Sequence, residues 1–277
     1  MIKSVALDLD GTLLNSKKEI SNKNISILRE LYKKGVEIFI VTGRSYSATK
    51  EILKKLELPI IVICYNGAKV IDTKNESILL EEPLSEDIVK VLIEISRKNN
   101  IHLNLYQDEN WFVEDKKNWQ TEYYKNNIGI DAVEKNFNNF TSLLMTKALF
   151  IDERCNLEKI EKEIKEKLRD IVHLTYSQER YLEILNKKVN KGKSLEKILQ
   201  LKNLTLDTCV AFGDANNDKE MLEMVGYGVV MKNGEEDLKK DAKYLTDSND
   251  NDGVYKFLVQ KIWKSGIFPT FFINLLK

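Results

Sequence analysis

The sequence predicts an α/β fold, in which a doubly wound parallel sheet forms the core and an α+β domain is inserted into it. Nearly continuous apolar runs recur near both ends of the chain, which is typical of strands buried on both faces of a parallel sheet. Helical patterns lie between these runs, and such alternation favours a doubly wound arrangement. In the middle of the chain, neighbouring strands have short connections, which favours an antiparallel sheet with helices on it.

The strands of the parallel sheet are predicted at five runs, most of which end in small or polar residues. They are the opening run before Asp8 and residues 36–41, 60–64, 209–212 and 228–231. The first helix is predicted to begin after Ser21, a residue type that caps helices, and to end at Gly35. Apolar residues at helical spacing mark three further helices: Ile52, Leu53 and Leu56; Leu195, Ile198 and Leu199; and Met221, Leu222 and Val225.

Residues 83–187 are predicted to form the inserted domain, and residues 1–82 and 188–277 the discontinuous core domain. The chain is predicted to pass from the core domain into the insertion at Pro83 and to return at the polar stretch 186–188. The elements predicted inside the insertion are a helix (85–98), two strands (101–106 and 111–114), a helix (about 116–127), a strand (146–151), a helix over Leu157 to Leu168 and a hairpin (171–177 and 181–185).

Composition excludes several classes of protein. Lys+Arg and Asp+Glu both number 43, so the net charge is +0 and the basic excess typical of nucleic-acid binders is missing. No apolar stretch approaches the roughly 18 residues of a membrane span, and no signal peptide is recognised. The three cysteines are odd in number and far apart, which favours free thiols. We therefore expect a cytoplasmic protein with neither nucleic acid nor membrane as partner.

Asp8 and Asp10 are the first candidates for a functional site. Side chains alternate along a strand, so both carboxylates are expected on the same side. Two carboxylates one residue apart on the same side of a strand repel each other unless a cation or a shared proton lies between them. Taken alone, however, the pair could equally be two solvated aspartates before an Asp-Gly turn.

Three further segments are expected at the same edge of the sheet, because ligands bind beyond the carboxyl ends of parallel strands. Residues 41–44 bring a hydroxyl and backbone amides towards a helix N-terminus, where anions are favoured. Residues 190–193 bring a lysine to the start of a helix, and residues 213–218 bring a second acidic cluster. Carboxylates together with a lysine and a hydroxyl suggest a cation and a phosphate in one site.

In order and spacing, these segments resemble the four motifs of the haloacid dehalogenase superfamily. The motifs stand here as residues 8–12, residues 42–44, Lys191-Gly192, and residues 213–218. The insertion lies between the second and third motifs and resembles the large cap of the Cof-type sugar-phosphate phosphatases. The resemblance extends from residue 1 to about residue 260. It implies a Mg²⁺-dependent phosphatase that acts on small phosphorylated metabolites, such as sugar phosphates, through an aspartyl-phosphate.

The resemblance also implies roles for single residues. Asp8 would be the nucleophile, and Asp10 would be the general acid and base. Mg²⁺ would be held by Asp8, the Asp10 backbone carbonyl and Asp214. The residues expected to hold the phosphoryl group are Leu9, Thr42, Gly43, Lys191 and Asn217. Arg44 would contact the substrate or cap, or form a structural ion pair, and Asp218 would orient Lys191 or metal-bound water.

Two other functions remain compatible with these motifs: a phosphomutase on the same scaffold, and a non-catalytic module that binds a phosphorylated metabolite. His102 and His173 are expected to pack in the cap and not to act in catalysis. The apolar segment 262–277 is expected to pack on its own core, with a docking surface for another subunit as the alternative. The protein is expected to be a monomer or a homodimer.

Overall fold

The computed structural model describes residues 2–264, with side chains to residue 260. The segment 262–277, for which packing on the core was predicted, lies outside the side chains that are described. The described chain forms two compact units. The first comprises the residues up to Val41, Ile52–Ile61 and those from Leu195 onward, and the second comprises Thr42–Glu51 and Val62–Ser194. The borders predicted for the inserted domain, 82/83 and 187/188, stay a prediction.

The strands in chain order are β1 (Ser4–Leu7), β2 (Glu37–Val41), β3 (Ile61–Cys64), β4 (Lys69–Asp72), β5 (Ser77–Glu81), β6 (His102–Gln107), β7 (Asn110–Val113), β8 (Val133–Glu134), β9 (Lys147–Ile151), β10 (Val172–Gln178), β11 (Tyr181–Asn186), β12 (Cys209–Gly213), β13 (Tyr227–Met231) and β14 (Tyr244–Thr246). The α-helices are α1 (Asn22–Lys33), α2 (Tyr46–Lys54), α3 (Glu86–Asn99), α4 (Trp119–Ile128), α5 (Arg154–Leu168), α6 (Lys191–Leu201), α7 (Lys219–Met224), α8 (Glu236–Lys240) and α9 (Gly253–Lys264).

The first unit is built on five parallel strands in the order β14-β13-β12-β1-β2. β1 lies inside this group, and its first residue, Ser4, is in register with Cys209 on one side and Glu37 on the other. All four residues of β1 are buried, as expected for a strand whose two faces are covered. The predicted α/β class is therefore confirmed.

Helix α1 shows how the sequence sets the ends of an element. The Ser21 hydroxyl accepts a hydrogen bond from the Asn24 amide at 3.2 Å, which is the predicted N-cap. Beyond the last turn, Gly35 adopts a φ of +81°, a value that favours glycine and ends the helix. The buried face carries Ile27, Leu28 and Leu31, and the helix packs against α9.

In the second unit, β3, β4 and β5 lie side by side. β4 and β5 form an antiparallel hairpin that the sequence analysis did not predict. The side chains of β5 are exposed or half-buried, although three of them, Ile78, Leu79 and Leu80, are apolar, so this strand differs in burial from the strands predicted for a covered sheet. This hairpin adds an antiparallel edge to the predicted parallel arrangement.

The second unit also contains a six-stranded sheet in the order β10-β11-β9-β6-β7-β8. All its pairings are antiparallel except that of β7 with β8. One face forms an apolar core with α3 and α5, in which Leu105, Phe150 and Ile184 are buried. Since side chains alternate along a strand, residues such as Tyr106, Lys147 and Glu183 belong to the opposite face.

All three cysteines are free thiols. Burial raises the pKa of Cys64 and raises that of Cys209 to about 12, whereas Cys155 is exposed at the start of α5. Among the helices of the described residues, none combines the length and the hydropathy needed to cross a bilayer.

Candidate active site

Asp8 stands directly beyond the carboxyl end of β1 and is buried, with 6% of its surface exposed. Its amide donates to the Phe212 carbonyl at 3.1 Å, which extends the pairing of β1 with β12 by one residue. The chain then turns back, because the amides of Thr12 and Leu14 both donate to the Leu9 carbonyl. Asp8 is therefore fixed by the sheet on one side and by a tight loop on the other.

Asp8, Asp214 and Asp218 form a cluster of carboxylates in the first unit. One oxygen from each lies within 4.8 Å of those of the other two. The Thr12 hydroxyl donates to Asp214 Oδ1 at 2.7 Å and so orients the second carboxylate. The loop 213–218, which follows β12, thus carries its acids back to the end of β1.

Asp218 differs from the other two acids because its carboxylate is held by the backbone. Its Oδ2 accepts from the amides of Asp214 and Ala215, at 3.0 and 3.1 Å. Asp218 is fully buried, and these bonds fix the bend that presents Asp214. The arrangement suits a residue that shapes the loop, whereas Asp8 and Asp214 are better placed to share a ligand.

The donor set of this cluster fits a hard divalent cation. Mg²⁺ takes oxygen ligands, is typically held by one or two carboxylates, and keeps several waters. Three carboxylates at this spacing repel one another unless a positive charge lies among them. Asp8 and Asp214 are the side chains that would hold such an ion, and its charge would neutralise that of a bound phosphate.

Asp10 lies outside the carboxylate cluster. Its side chain is 40% exposed, and its Oδ1 accepts from the Lys18 ammonium at 2.8 Å. Between the two acids, Leu9 is fully buried and Gly11 has a φ of +79°. The two carboxylates predicted to act together thus differ in environment, since one is buried and the other is open to water.

In the second unit, residues 42–44 form a hydrogen-bonded turn after β2. The buried Thr42 donates its amide to the Ile63 carbonyl at 2.8 Å, and its hydroxyl oxygen accepts from the Arg44 amide at 3.1 Å. Helix α2 begins two residues after the turn. Its Ser47 amide donates to Glu109 Oε2 at 3.0 Å, so a carboxylate of the chain already occupies the helix N-terminus that was predicted to favour an anion.

Lys191 opens helix α6, and only 1% of its surface is exposed. Asn190 precedes it and caps the helix, because its side-chain oxygen accepts from the Lys193 amide at 2.7 Å. Lys193 itself is exposed. The two lysines of this motif therefore differ as expected, with a buried Lys191 and a solvated Lys193.

The predicted site residues divide between the two units. The first unit holds Asp8, Leu9, Asp10, Asp214, Asn217 and Asp218, and the second holds Thr42, Gly43, Arg44 and Lys191. Asn217 is half-buried in a short 3-10 turn that runs from Asn216 to Asp218. Two residues to which the sequence analysis gave no role also contact site residues, Thr12 and Asn66. Thr12 ends the Asp-x-Asp-Gly-Thr segment. A hydroxyl so near two acids in the sequence was the feature that could have indicated its contact with a site carboxylate.

The two histidines lie on strands of the six-stranded sheet in the second unit. His102 is buried on β6, and burial lowers its pKa to about 4 in spite of its hydrogen bond to Asn104. It is thus neutral at pH 7. His173 is half-buried on β10.

Comparison with known proteins identifies the family. A family model for haloacid dehalogenase-like hydrolases matches residues 5–258. The chain therefore belongs to the haloacid dehalogenase-like hydrolases, and the resemblance to the Cof-type phosphatases within that superfamily is confirmed.

Relatives of this chain are phosphatases by name. A putative phosphatase from Buchnera aphidicola subsp. Baizongia pistaciae is 34% identical, over 92% of this chain and 96% of the relative. A 5-amino-6-(5-phospho-D-ribitylamino)uracil phosphatase from Bacillus subtilis is 32% identical, over 92% of this chain and 95% of the relative. The predicted enzyme class, a phosphatase, is confirmed.

A solved structure supports the fold independently. The crystal structure of a haloacid dehalogenase-like hydrolase from Bacteroides thetaiotaomicron superposes with a TM-score of 0.86 at 28% identity, covering 94% of this chain and 100% of that protein.

Proposed function

We propose that this phosphatase depends on Mg²⁺ and hydrolyses small phosphorylated metabolites through an aspartyl-phosphate on Asp8. The observation that carries the proposal is the cluster of Asp8, Asp214 and Asp218, whose oxygens lie within 4.8 Å of one another. A buried carboxylate fixed beyond a strand is a suitable nucleophile, because its position is set before the substrate arrives.

In the proposed reaction, an oxygen of the ionised Asp8 carboxylate attacks phosphorus, and the bond from phosphorus to the leaving oxygen breaks. Asp10 donates a proton to that oxygen, so the leaving group departs as a neutral alcohol. Asp10 then takes a proton from a water molecule whose oxygen attacks phosphorus, and the bond from phosphorus to the Asp8 oxygen breaks. Inorganic phosphate is released, Asp8 regains its carboxylate, and Asp10 is protonated again.

The exposure of Asp10 suits this exchange of protons, since a group that first gives and then takes a proton must reach both the alcohol and water. We propose that Thr42, Gly43, Lys191 and Asn217 hold the phosphoryl oxygens, together with the backbone at Leu9. A buried lysine such as Lys191 provides a strong charge for this purpose, because a low dielectric increases its effect.

The proposed substrates are small phosphate monoesters such as sugar phosphates, and this proposal rests on the relatives and the fold. The Bacillus subtilis relative is named for a phosphorylated ribityl compound, which is a small phosphate monoester with a polyol chain.

We also propose that the protein is located in the cytoplasm. The buried thiols of Cys64 and Cys209, which form no disulfides, support this location. A monomer or homodimer without nucleic acid or membrane as partner stays a prediction.

Asp8→Asn is the sharpest test of the nucleophile. We expect the variant to fold normally and to lose hydrolysis by at least about 10³-fold, because a carboxamide cannot form the acyl phosphate. The measurement is release of inorganic phosphate from a panel of sugar, polyol and nucleoside monophosphates with Mg²⁺.

Asp250→Asn is a suitable control, because Asp250 accepts from the Ser16 amide at the protein surface and belongs to no predicted site. Hydrolysis by Asp8→Asn close to the control's rate would refute the nucleophile. A requirement for a bisphosphate activator, with no net release of phosphate by the unaltered protein, would indicate a mutase instead.

A further inference from the structure

Asn66 connects the turn at residues 42–44 to the interior of the second unit. Its amide donates to the Thr42 carbonyl at 2.9 Å, and the neighbouring Tyr65 amide donates to the Arg44 carbonyl at 3.0 Å. The Asn66 side chain lies against Gly43, where a Cβ would come within 3.1 Å of Asn66 Oδ1. Both the backbone and the side chain of Asn66 therefore set the shape of this turn.

The backbone at this point is strained. Tyr65 and Asn66 follow β3 with φ values of 50° and 55°, so two consecutive residues other than glycine adopt the left-handed region. Asparagine tolerates this region better than most residues, but a tyrosine pays a steric cost. Such strain persists only where the surrounding contacts hold it, and it is concentrated at functional sites.

A buried ion pair holds the Asn66 side chain in place. Asn66 Nδ2 donates to Glu183 Oε2 at 2.8 Å. The other oxygen of Glu183 accepts from the Lys147 ammonium at 3.2 Å and from the Ser177 hydroxyl at 2.8 Å. Lys147 and Glu183 come from the adjacent strands β9 and β11, and both side chains are almost completely buried.

Lys147 is also enclosed by aromatic rings. Its ammonium lies 4.8 Å from the ring centre of Tyr106 and 5.7 Å from that of Tyr65. Burial lowers the pKa of Lys147, but attraction to Glu183 more than compensates, so this pKa is raised above its ordinary value. Lys147 is therefore charged at neutral pH, and Tyr65 contributes to both the strained turn and the enclosure of the ammonium.

Stability alone is a poor reason for such a pair. Removing two charges from water costs several kcal/mol for each ion, and apolar residues of similar size often stabilise a protein as well or better. A buried carboxylate can instead fix the orientation of the Asn66 side-chain amide, which lies against Gly43. The contacts run in a continuous chain from Lys147 through Glu183 and Asn66 to the turn.

We propose that Asn66 is a positioning residue of the phosphate site. Its side-chain amide, oriented by the Glu183–Lys147 pair, holds the Thr42–Arg44 turn in the shape that receives phosphoryl oxygens. The inference rests on the proposed function, in which Thr42 and Gly43 bind the phosphoryl group. Under this inference, two residues of the six-stranded sheet, Lys147 and Glu183, influence the affinity for phosphate.

Asn66→Gly tests this inference with little change to the backbone. Glycine accepts a φ of 55° and keeps the backbone amide, but it lacks the side-chain amide. We expect the inhibition constant of inorganic phosphate to rise about tenfold, and kcat for p-nitrophenyl phosphate to fall by about the same factor, since small displacements of binding groups are costly.

Asn100→Gly is the matched control. Asn100 is also left-handed, with a φ of 52°, and ends helix α3 at an exposed position. It should retain the phosphate affinity of the unaltered protein. Equal inhibition constants for Asn66→Gly and Asn100→Gly would overturn the inference.

The double variant Lys147→Met/Glu183→Leu separates positioning from stability. Removing both charges avoids an unpaired buried ion, so we expect a melting temperature at or above that of the unaltered protein. Phosphate inhibition should nevertheless weaken as in Asn66→Gly, and adding Asn66→Gly should change it no further. An unaltered inhibition constant in the double variant would contradict the role of the pair.

The proposed function is checked separately in the unaltered protein. If that protein neither hydrolyses phosphate esters nor binds inorganic phosphate, the proposed function fails, and the inference fails with it. If it does both while the Asn66 and double variants match it, only the inference fails.

Discussion

Gly11 and Gly35 share a left-handed backbone but have opposite surroundings. Their φ values are +79° and +81°. At Gly35 an added Cβ would have no heavy atom within 4 Å, whereas at Gly11 it would run into the Asp214 carboxylate. The Asp214 side chain, part of the carboxylate cluster, thus lies directly against the backbone of Gly11, which no other residue type would allow without displacing it.

The pair Gly11→Ala and Gly35→Ala separates the backbone cost from the effect on the site. Each substitution should destabilise the protein by about 1–2 kcal/mol, because alanine disfavours the left-handed region. Only Gly11→Ala should also lose most of its activity and Mg²⁺ affinity, measured by phosphate release at increasing Mg²⁺. Full activity in Gly11→Ala would show that Asp214 is not held against this glycine.

At the residue scale, local spacing was enough to nominate Asp8, Asp10 and Asp214, because each follows a recognisable buried strand. It was not enough for Asn66, whose acceptor on Glu183 is 117 positions away. Nor could spacing show that Asp218 binds the backbone of its own loop and that Asp10 is paired with Lys18. Those outcomes depend on side-chain orientation, which a single sequence does not encode in a readable pattern.

At the scale of elements, the start of helix α4 is tied to a buried histidine. Asn118 accepts from the Thr121 amide at 2.9 Å and so caps the helix. Its amide nitrogen faces His102 Nδ1 at 2.9 Å, and His102 Nε2 faces Asn104 Oδ1 at 2.7 Å. Asn118 therefore donates to Nδ1 while Nε2 donates to Asn104, an arrangement that only the neutral imidazole satisfies.

This network predicts a loss of stability in acid. The pKa of His102 is about 4 in the folded protein, against 6.5 for the ordinary side chain. Between these values the unfolded chain binds more protons than the folded one, so stability falls as the pH drops from 6.5 to 4 and is fully present above 6.5. The difference amounts to about 3 kcal/mol.

Urea unfolding at several pH values measures this effect. His102→Gln should flatten the dependence between pH 6.5 and 4, whereas His173→Gln, at a half-buried position, should change it much less. An equally steep dependence in His102→Gln would assign the acid sensitivity to other groups.

Elements with a strong apolar period were predicted well. In the second unit, α3, β6 and β9 begin within one residue of the predicted positions. The hairpin of β4 and β5, the short β14 and the two-residue β8 were not predicted. They are short or largely exposed, so their apolar residues are too few or too little buried to give a clear period, and pairing with neighbouring strands completes them.

For the whole molecule, the carboxylate cluster predicts that a cation contributes to stability. Without one, Asp8 and Asp214 repel each other inside the first unit. Mg²⁺ at about 100 times its dissociation constant should stabilise the folded protein by about 2.7 kcal/mol. Thermal unfolding with and without Mg²⁺ measures this increase, and a chelator should reverse it.

Asp214→Asn is the informative variant for the cation. It removes a charge from the cluster, so it should raise the melting temperature measured without Mg²⁺ and reduce the further increase on adding the ion. Asp250→Asn, with its acid at the surface, should respond as the unaltered protein does. An undiminished Mg²⁺ effect in Asp214→Asn would place the ion elsewhere.

The pairing of β1 has a consequence for the order of events during synthesis. Ser4 pairs with Glu37 soon after both are made, but its other partner, Cys209, is 205 positions further on. At about 5–20 residues per second, a ribosome needs roughly 10–40 s to reach that strand. In this interval the second unit leaves the ribosome nearly whole, while the strand that leads into Asp8 keeps one edge open. The nascent chain therefore builds the sheet that holds Asn66 in place before it can close the sheet that holds Asp8.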